Sequence, residues 1–281
     1  VANGHIMSLD VFAPDESSSS ESLTIGQAIA NLQGEDLGLR MYAAWWLGRF
    51  RVREPVAVSL LIQALEDEAD RTEEGGYPLR RNAARALGKL GDRQAVLPLI
   101  QSLDCSDFYV REAAAQSLEM LGDPVCIPNL ISLLKAGLQG NHLVPNQPDF
   151  SQPYDAILEA LGTLGATVAV PLISLFLDHP IERIQYAAAR SMYQLTQDVI
   201  YGERLVQALA GKDLQLRRSA LADLGAIGYL PAAEAIAQTL AENSIKLIAL
   251  KGLLEHQIYM SPSNELSEGA VRVMTLMDGL L

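Results

Sequence analysis

A chain of 281 residues with 49% hydrophobic and 6% aromatic content can bury a sizeable core, built mostly from Leu, Ala, Ile and Val. Its net charge of −13 argues against a nucleic-acid backbone as the main ligand and confines basic patches to places such as Arg80-Arg81 and Arg217-Arg218. No run of 18 apolar residues occurs, so no membrane span is expected, and two cysteines, Cys105 and Cys126, suit a reducing cytoplasm better than a disulfide scaffold.

In chain order, residues 1–21 have no h-region and read as a disordered tail, in which 1–6 has the look of a cloning scar ahead of Met7. Residues 24–33, "TIGQAIANLQ", read as a lone second helix that closes the N-terminal end. Six related segments follow: "LRMYAAWWLGRF" (39–50), "LRRNAARALGKL" (79–90), "VREAAAQSLEML" (110–121), "PYDAILEALGTL" (153–164), "IQYAAARSMYQL" (184–195) and "LRRSALADLGAI" (216–227). They define a unit of about 31 residues, lengthened by insertions of roughly 9 and 12 residues at 66–77 and 136–153. A second apolar helix follows each segment, as in "PVAVSLLIQAL" (55–65) and "AVLPLIQSL" (95–103). Ala pairs permit close helix approach, apolar residues three and four apart give each helix one buried stripe, and Gly-Asp pairs such as Gly91-Asp92 end one helix and cap the next. Residues 245–258 resemble a last first helix, and 262–281 carry apolar residues at helical spacing suited to a capping or partner-binding helix. One hairpin cannot cover its own apolar face, so the expected fold is all-α: a solenoid of six to seven helical hairpins over 22–258, followed by a tail at 259–281.

A solenoid of this kind is a scaffold whose concave face commonly binds something. No P-loop, dinucleotide fingerprint, nucleophile elbow or C-x-x-C is present. The four histidines are scattered, and the positions where helical-repeat hydroxylases carry His-Glu pairs hold Arg111-Glu112 and Tyr154-Asp155, so no metal site is expected. A polar or aromatic residue recurs at the start of each first helix: Arg40, Arg80, Arg111, Tyr154, Gln185 and Arg217. Two readings stand: a ladder bonded to the preceding unit, or a surface that binds an acidic ligand through paired hydrogen bonds. Of Trp45 and Trp46, adjacent on a helix, only one can face the core. The acidic insertion 66–77 reads as a solvated surface, whereas 136–153 offers His142, Phe150 and Tyr154 for contacts. Asp155 suits the first turn of its helix by capping alone, or it has a functional role.

The pattern V/L-R-x-x-A-A-x-x-L-G-x-L-G-D resembles the HEAT-like repeat of the phycobilisome bilin lyases. The longer segments "SLTIGQAIANLQ", "LRMYAAWWLGRFR" and "PYDAILEALGTLGATVAVPLISLFLDHP" look like the E-type chain of the heterodimeric lyase for the phycocyanin α subunit, a resemblance that extends from Ser22 to Ile258. It implies an enzyme subunit active only with an F-type partner chain in the cytoplasm of a cyanobacterial cell. The pair would bind phycocyanobilin as substrate, with no tightly bound cofactor, and join it through a thioether to a cysteine of the apo-phycocyanin α subunit. The alternatives are a non-catalytic scaffold or chaperone, and the equivalent chain of the phycoerythrocyanin lyase-isomerase. Asn141-His142-Leu143 lacks the cysteine of the Asn-His-Cys isomerase motif, so no isomerase activity is assigned. With a bilin as ligand, Arg40, Arg80 and Arg111 become candidate clamps for its propionates, and Asp155 or Glu159 candidate partners of its pyrrole nitrogens. Tyr42, Trp45 and Tyr154 become candidate stacking rings, His142 a further contact, and Asp155 with Tyr154 the expected catalytic pair.

Overall fold

The computed structural model describes residues 23–136, 138–139, 142–143, 152–260 and 266–281, so the N-terminal tail, its suggested scar and most of the 136–153 loop lie outside the described residues. Helix α1 (Ile25–Gln33) starts in a capping box: the Gln27 amide donates to Thr24 Oγ1 at 3.2 Å and the Thr24 amide to Gln27 Oε1 at 2.8 Å. Seven hairpins follow. The first is α2 (Leu37–Arg49) with α3 (Pro55–Ala64), and the second α4 (Pro78–Leu90) with α5 (Val96–Ser102). Then come α6 (Phe108–Leu121) with α7 (Ile127–Ala136), and α8 (Tyr154–Thr163) with α9 (Val170–Ile173), the latter prolonged by a 3₁₀ turn over Ser174–Asp178. The last three are α10 (Glu182–Thr196) with α11 (Val199–Ala208), α12 (Leu214–Ile227) with α13 (Ala233–Gln238), and α14 (Asn243–Met260) with α15 (Glu268–Asp278). Helix α15 packs on α13 and α14 and thereby takes the place of a second helix.

The boundaries follow from the residues. Asp36, Asp107, Asp198 and Asp213 cap α2, α6, α11 and α12 through side-chain bonds to backbone amides. Gly91, Gly122 and Gly228 end α4, α6 and α12 in the left-handed region, at φ of 74°, 68° and 64°. First helices stack on first helices, because small residues meet at each crossing. A Cβ on Gly88 would lie 2.5 Å from Ser117 Oγ, and one on Gly162 2.7 Å from the Ser191 Cα. Ser117 and Ser191 donate across the same crossings to the carbonyls of Ala84 and Leu158, at 2.8 and 2.5 Å. The interior falls into two apolar clusters, one running from Ala28 to Met192 and the other from Ala189 to Val273, which meet along α10.

The insertions depart from expectation. The acidic loop 66–77 is tied down, not merely solvated: Asp67 pairs with Arg40 at 2.5 Å, the Leu79 amide donates to Asp70 at 2.6 Å, and the Tyr77 ring is buried. Its carboxylates satisfy guanidiniums and amides that would otherwise be orphaned at the start of α4. After α7, Leu138-Gln139 and His142-Leu143 form a two-residue antiparallel ladder, β1 and β2, the one strand pair among the described residues.

Candidate functional site

The residues at the start of the first helices form a ladder. Arg40 Nε donates to the Leu32 carbonyl, and Arg80 Nε to the Asp67 carbonyl at 2.7 Å, with its guanidinium 4.0 Å above the Tyr77 ring and paired with Glu68. Arg111 bonds to the carbonyls of Cys105 and Ser106 at 2.6 and 2.9 Å, and to Gln152. Gln185, Arg217 and Lys246 repeat the pattern on the carbonyls of His179, Gly211 and Ala237. These side chains lock each first helix to the loop before it. Arg40, Arg80 and Arg111 are therefore structural ties and not open propionate clamps, which corrects that expectation.

Tyr154 takes the same place with a different result. Its ring is 5% exposed and lies 5.3 Å from Phe176 and 6.0 Å from His179, so it fills the core beneath α8 instead of stacking on a ligand. Asp155, one residue on, points to the other side. One of its oxygens accepts the Ala156 amide at 2.9 Å and the other faces Arg183 Nε at 3.8 Å. Of His142, the backbone alone is described, opposite Gln139.

Asp155 and Glu159, four residues apart on α8, open onto a cluster that joins four first helices. Arg183 reaches Asp155, Glu159 and Asp223, the last at 2.9 Å. Arg190 reaches Glu159 and Glu119 at 2.8 Å each and Asp223 at 3.5 Å, and Thr163 donates to Glu119 at 2.7 Å. Burial outweighs both guanidiniums at Glu159 and pushes its carboxyl up to about 7; Asp223, more deeply buried, is raised for the same reason. The cluster grades outward: the Asp223 side chain is 2% exposed and that of Asp155 32%. Beyond it, Glu112 is raised by burial and by Asp155, and pairs with Arg85 at 3.6 Å. Arg81 lies 5.7 Å over the Tyr109 ring, and its Nε is buried without a partner among the described residues.

At the head of this file, Tyr42 and Trp45 are 47% and 45% exposed and stack on each other at 5.5 Å, while Trp46 turns against Phe50 and the core. The exposed side of the first-helix row therefore runs from aromatic rings through cations to carboxylates. Flat rings offer stacking, Arg85 an anion contact and Asp155 a hydrogen-bond acceptor. Burial pushes the Cys126 thiol up to about 11, which makes it a poor nucleophile, and Cys105 is half-buried, 4.0 Å from Arg80. Among the described residues no group of His, Cys, Asp and Glu is arranged to hold a metal ion, and no helix is long and apolar enough to cross a membrane.

A profile described as PBS lyase HEAT-like repeat matches residues 39–67, and one described as HEAT repeats matches 72–138. The phycocyanobilin lyase subunit alpha of Nostoc sp. is 67% identical over 92% of this chain and 94% of its own length. That of Microchaete diplosiphon is 68% identical over 92% and 90%. The chain belongs to the phycocyanobilin lyase alpha-subunit family. A solved member, from the complex of CpcE and CpcF of phycocyanin lyase from Nostoc sp., superposes with a TM-score of 0.86 at 63% identity, covering 96% of this chain and 100% of its own. Bilin biosynthesis protein PecE of Mastigocladus laminosus stands further off, at 47% identity over 81% of this chain.

Of the residues singled out from the sequence of this phycocyanobilin lyase alpha-subunit family member, Tyr42, Trp45 and Asp155 reach the exposed side of the row, and Glu159 is buried behind Asp155. The sequence analysis named Arg81 only as part of a basic pair and did not single out Arg85, Glu119, Arg183, Arg190 or Asp223. A signal for some of them was present: Arg81-Arg85 and Asp155-Glu159 occupy the third and seventh positions of the repeated segment, which share one helix face, and Arg190 occupies the seventh.

Proposed function

We propose that the chain is the alpha-type subunit of a heterodimeric lyase, which binds phycocyanobilin and joins it through a thioether to a cysteine of the apo-phycocyanin α subunit. The observation that carries this is the identity of about two thirds, over nine tenths of the chain, to relatives named phycocyanobilin lyase subunit alpha. The lower identity to the PecE relative favours phycocyanin over phycoerythrocyanin as the source of the acceptor. The reaction requires no redox partner and no tightly bound cofactor. The acceptor sulfur bonds to the ethylidene carbon of ring A, the adjacent ring carbon takes a proton, and the thiol proton is released. The acceptor supplies the thiol, so this chain has to position the bilin and supply charge.

On the exposed first-helix row, Trp45 and Tyr42 stack on bilin rings, Arg85 takes a propionate, and Asp155 holds a pyrrole N–H. Glu159 supports Asp155 from below through their shared partner Arg183. Tyr154 acts only by seating α8. The chemistry belongs in the cyanobacterial cytoplasm, where the acceptor thiol stays reduced.

The test is reconstitution with the F-type chain, apo-phycocyanin α subunit and phycocyanobilin, read as bilin fluorescence on the denatured acceptor. Asp155→Ala is expected to slow attachment by about 10–100-fold, and Tyr154→Phe to leave it near wild type. Attachment at the uncatalysed rate with the wild-type pair would instead favour the non-catalytic scaffold.

A further inference from the structure

We propose that Arg81, one helical turn before Arg85 on α4, takes the second of the bilin's two propionates, so that the pair selects a ligand with two free carboxylates. The inference deepens the reading of this chain as the bilin-binding part of a lyase, and it rests on that reading. Arg81 and Arg85 hold the third and seventh positions of the repeated segment, so both side chains leave one face of α4, about 5–6 Å apart at their Cβ atoms. A bilin carries its propionates on neighbouring central rings, along one edge, within reach of two guanidiniums one turn apart. Each guanidinium presents a planar fork of donors matched to one carboxylate.

The charges around the pair leave it short of a partner. Elsewhere on the first-helix row, Arg183 and Arg190 between them reach four carboxylates, and Arg218 pairs with Glu242. Arg81 makes no hydrogen bond or ion pair among the described residues: its Nε is buried unpartnered, and its guanidinium rests over the exposed Tyr109 ring at 5.7 Å. A partly buried guanidinium held in this way has shed water without gaining an acceptor, a cost that a carboxylate arriving from the exposed side removes. The Arg85 side chain is 44% exposed and has one carboxylate, Glu112, at 3.6 Å. Burial and then Arg81 push Arg85 below the ordinary arginine value, and the repulsion from Arg81 exceeds the pull of Glu112. Glu112 is itself held toward its neutral form by burial and by Asp155, which weakens it as a counter-ion. In a chain with a net charge of −13, this spot is left cationic, on the helix that packs against the one carrying Tyr42 and Trp45. A ligand with two carboxylates fits that deficit better than a ligand with one.

The test is an absorbance titration of phycocyanobilin, and of its dimethyl ester, into the complex of this chain with the F-type chain. The free acid is expected to bind at least about tenfold more tightly than the ester. Arg81→Gln is expected to lower affinity for the acid about tenfold and to leave affinity for the ester unchanged. Arg81→Lys keeps the charge without the fork and should recover part of the loss. Of the two monomethyl esters, one should be indifferent to Arg81→Gln and the other to Arg85→Gln. Because Arg81→Gln removes one of two repelling cations, its melting midpoint should lie at or above that of wild type. Equal binding of acid and ester by the wild-type complex overturns the proposal. So does an Arg81→Gln variant that loses acid and ester alike, the mark of a residue that only shapes the site. Should Arg81→Gln melt early, Arg81→Lys decides: a preference for the acid as large as in wild type overturns the proposal. A wild-type complex that prefers the acid yet transfers no bilin to the apo-phycocyanin α subunit defeats the lyase reading and leaves the dicarboxylate site standing. Transfer without any such preference defeats the site alone.

Discussion

Glu159 lies between two guanidiniums, yet burial holds its carboxyl at about 7, so at neutral pH the site carries a partly protonated acid. Between the ordinary carboxylate value and about 7 the folded chain keeps a proton that the unfolded chain releases. Over that window stability falls as pH rises, and above it both states are ionised and the cost is constant. Burial raises Asp223 and Glu112 in the same direction, so they add to the slope. Thermal melts between about pH 5 and pH 8 should therefore show the midpoint falling toward neutrality, the reverse of a carboxylate whose pairing wins. Glu159→Gln should flatten that fall; a curve parallel to wild type would mean that Glu159 is ionised throughout.

At the scale of the helix, the crossings of the first-helix row depend on residues without bulk. In Gly162→Ala the new Cβ meets the α10 backbone at Ser191, and the backbone cannot move aside. Gly26, in α1, has nothing within 4 Å of its would-be Cβ. Replacing a helical Gly by Ala gains up to about 1 kcal/mol where there is room. Gly26→Ala is thus expected to raise the urea midpoint and Gly162→Ala to lower it, the latter through a loss of stability of about 1–3 kcal/mol; equal gains would show that the crossing has slack. The helix caps at Asp and Gly were legible in the repeat pattern. What was not legible is which way a polar side chain turns. Arg80 and Arg81 are neighbours of one type, yet Arg80 is spent on carbonyls and Arg81 stays on the exposed side. Tyr154 sits in an Arg position and turns inward, because Phe176 and His179 offer a ring-lined space that the repeat pattern does not encode. Arg190 meets Glu119 across 71 residues of sequence, a distance over which local pattern carries no information.

At the scale of the molecule, the chain is two apolar cores in series that share α10, with Leu177 and Tyr201 packed against both. A stack of this kind unfolds as one unit only while neighbouring units stay strongly coupled. The charge cluster crosses the seam: Arg183 and Arg190 stand on α10, Glu119 and Glu159 on the side of the first core, Asp223 on the side of the second. Asp223→Ala removes the one carboxylate of this cluster that belongs to the second core and leaves two guanidiniums short of a partner, at a cost of about 3 kcal/mol. Both tryptophans, Trp45 and Trp46, lie in the first hairpin, so their fluorescence reports the first core alone while far-UV circular dichroism reports every helix. In wild type the two urea transitions are expected to coincide. In Asp223→Ala the dichroism should begin to fall at lower urea than the fluorescence, as α12–α15 melt ahead of the N-terminal hairpins. Two curves that move together would show that the apolar contacts of α10 alone carry the coupling. The same seam lies beside Asp155, so a chain whose halves uncouple should also lose bilin attachment at urea concentrations where its tryptophans still report a folded first core.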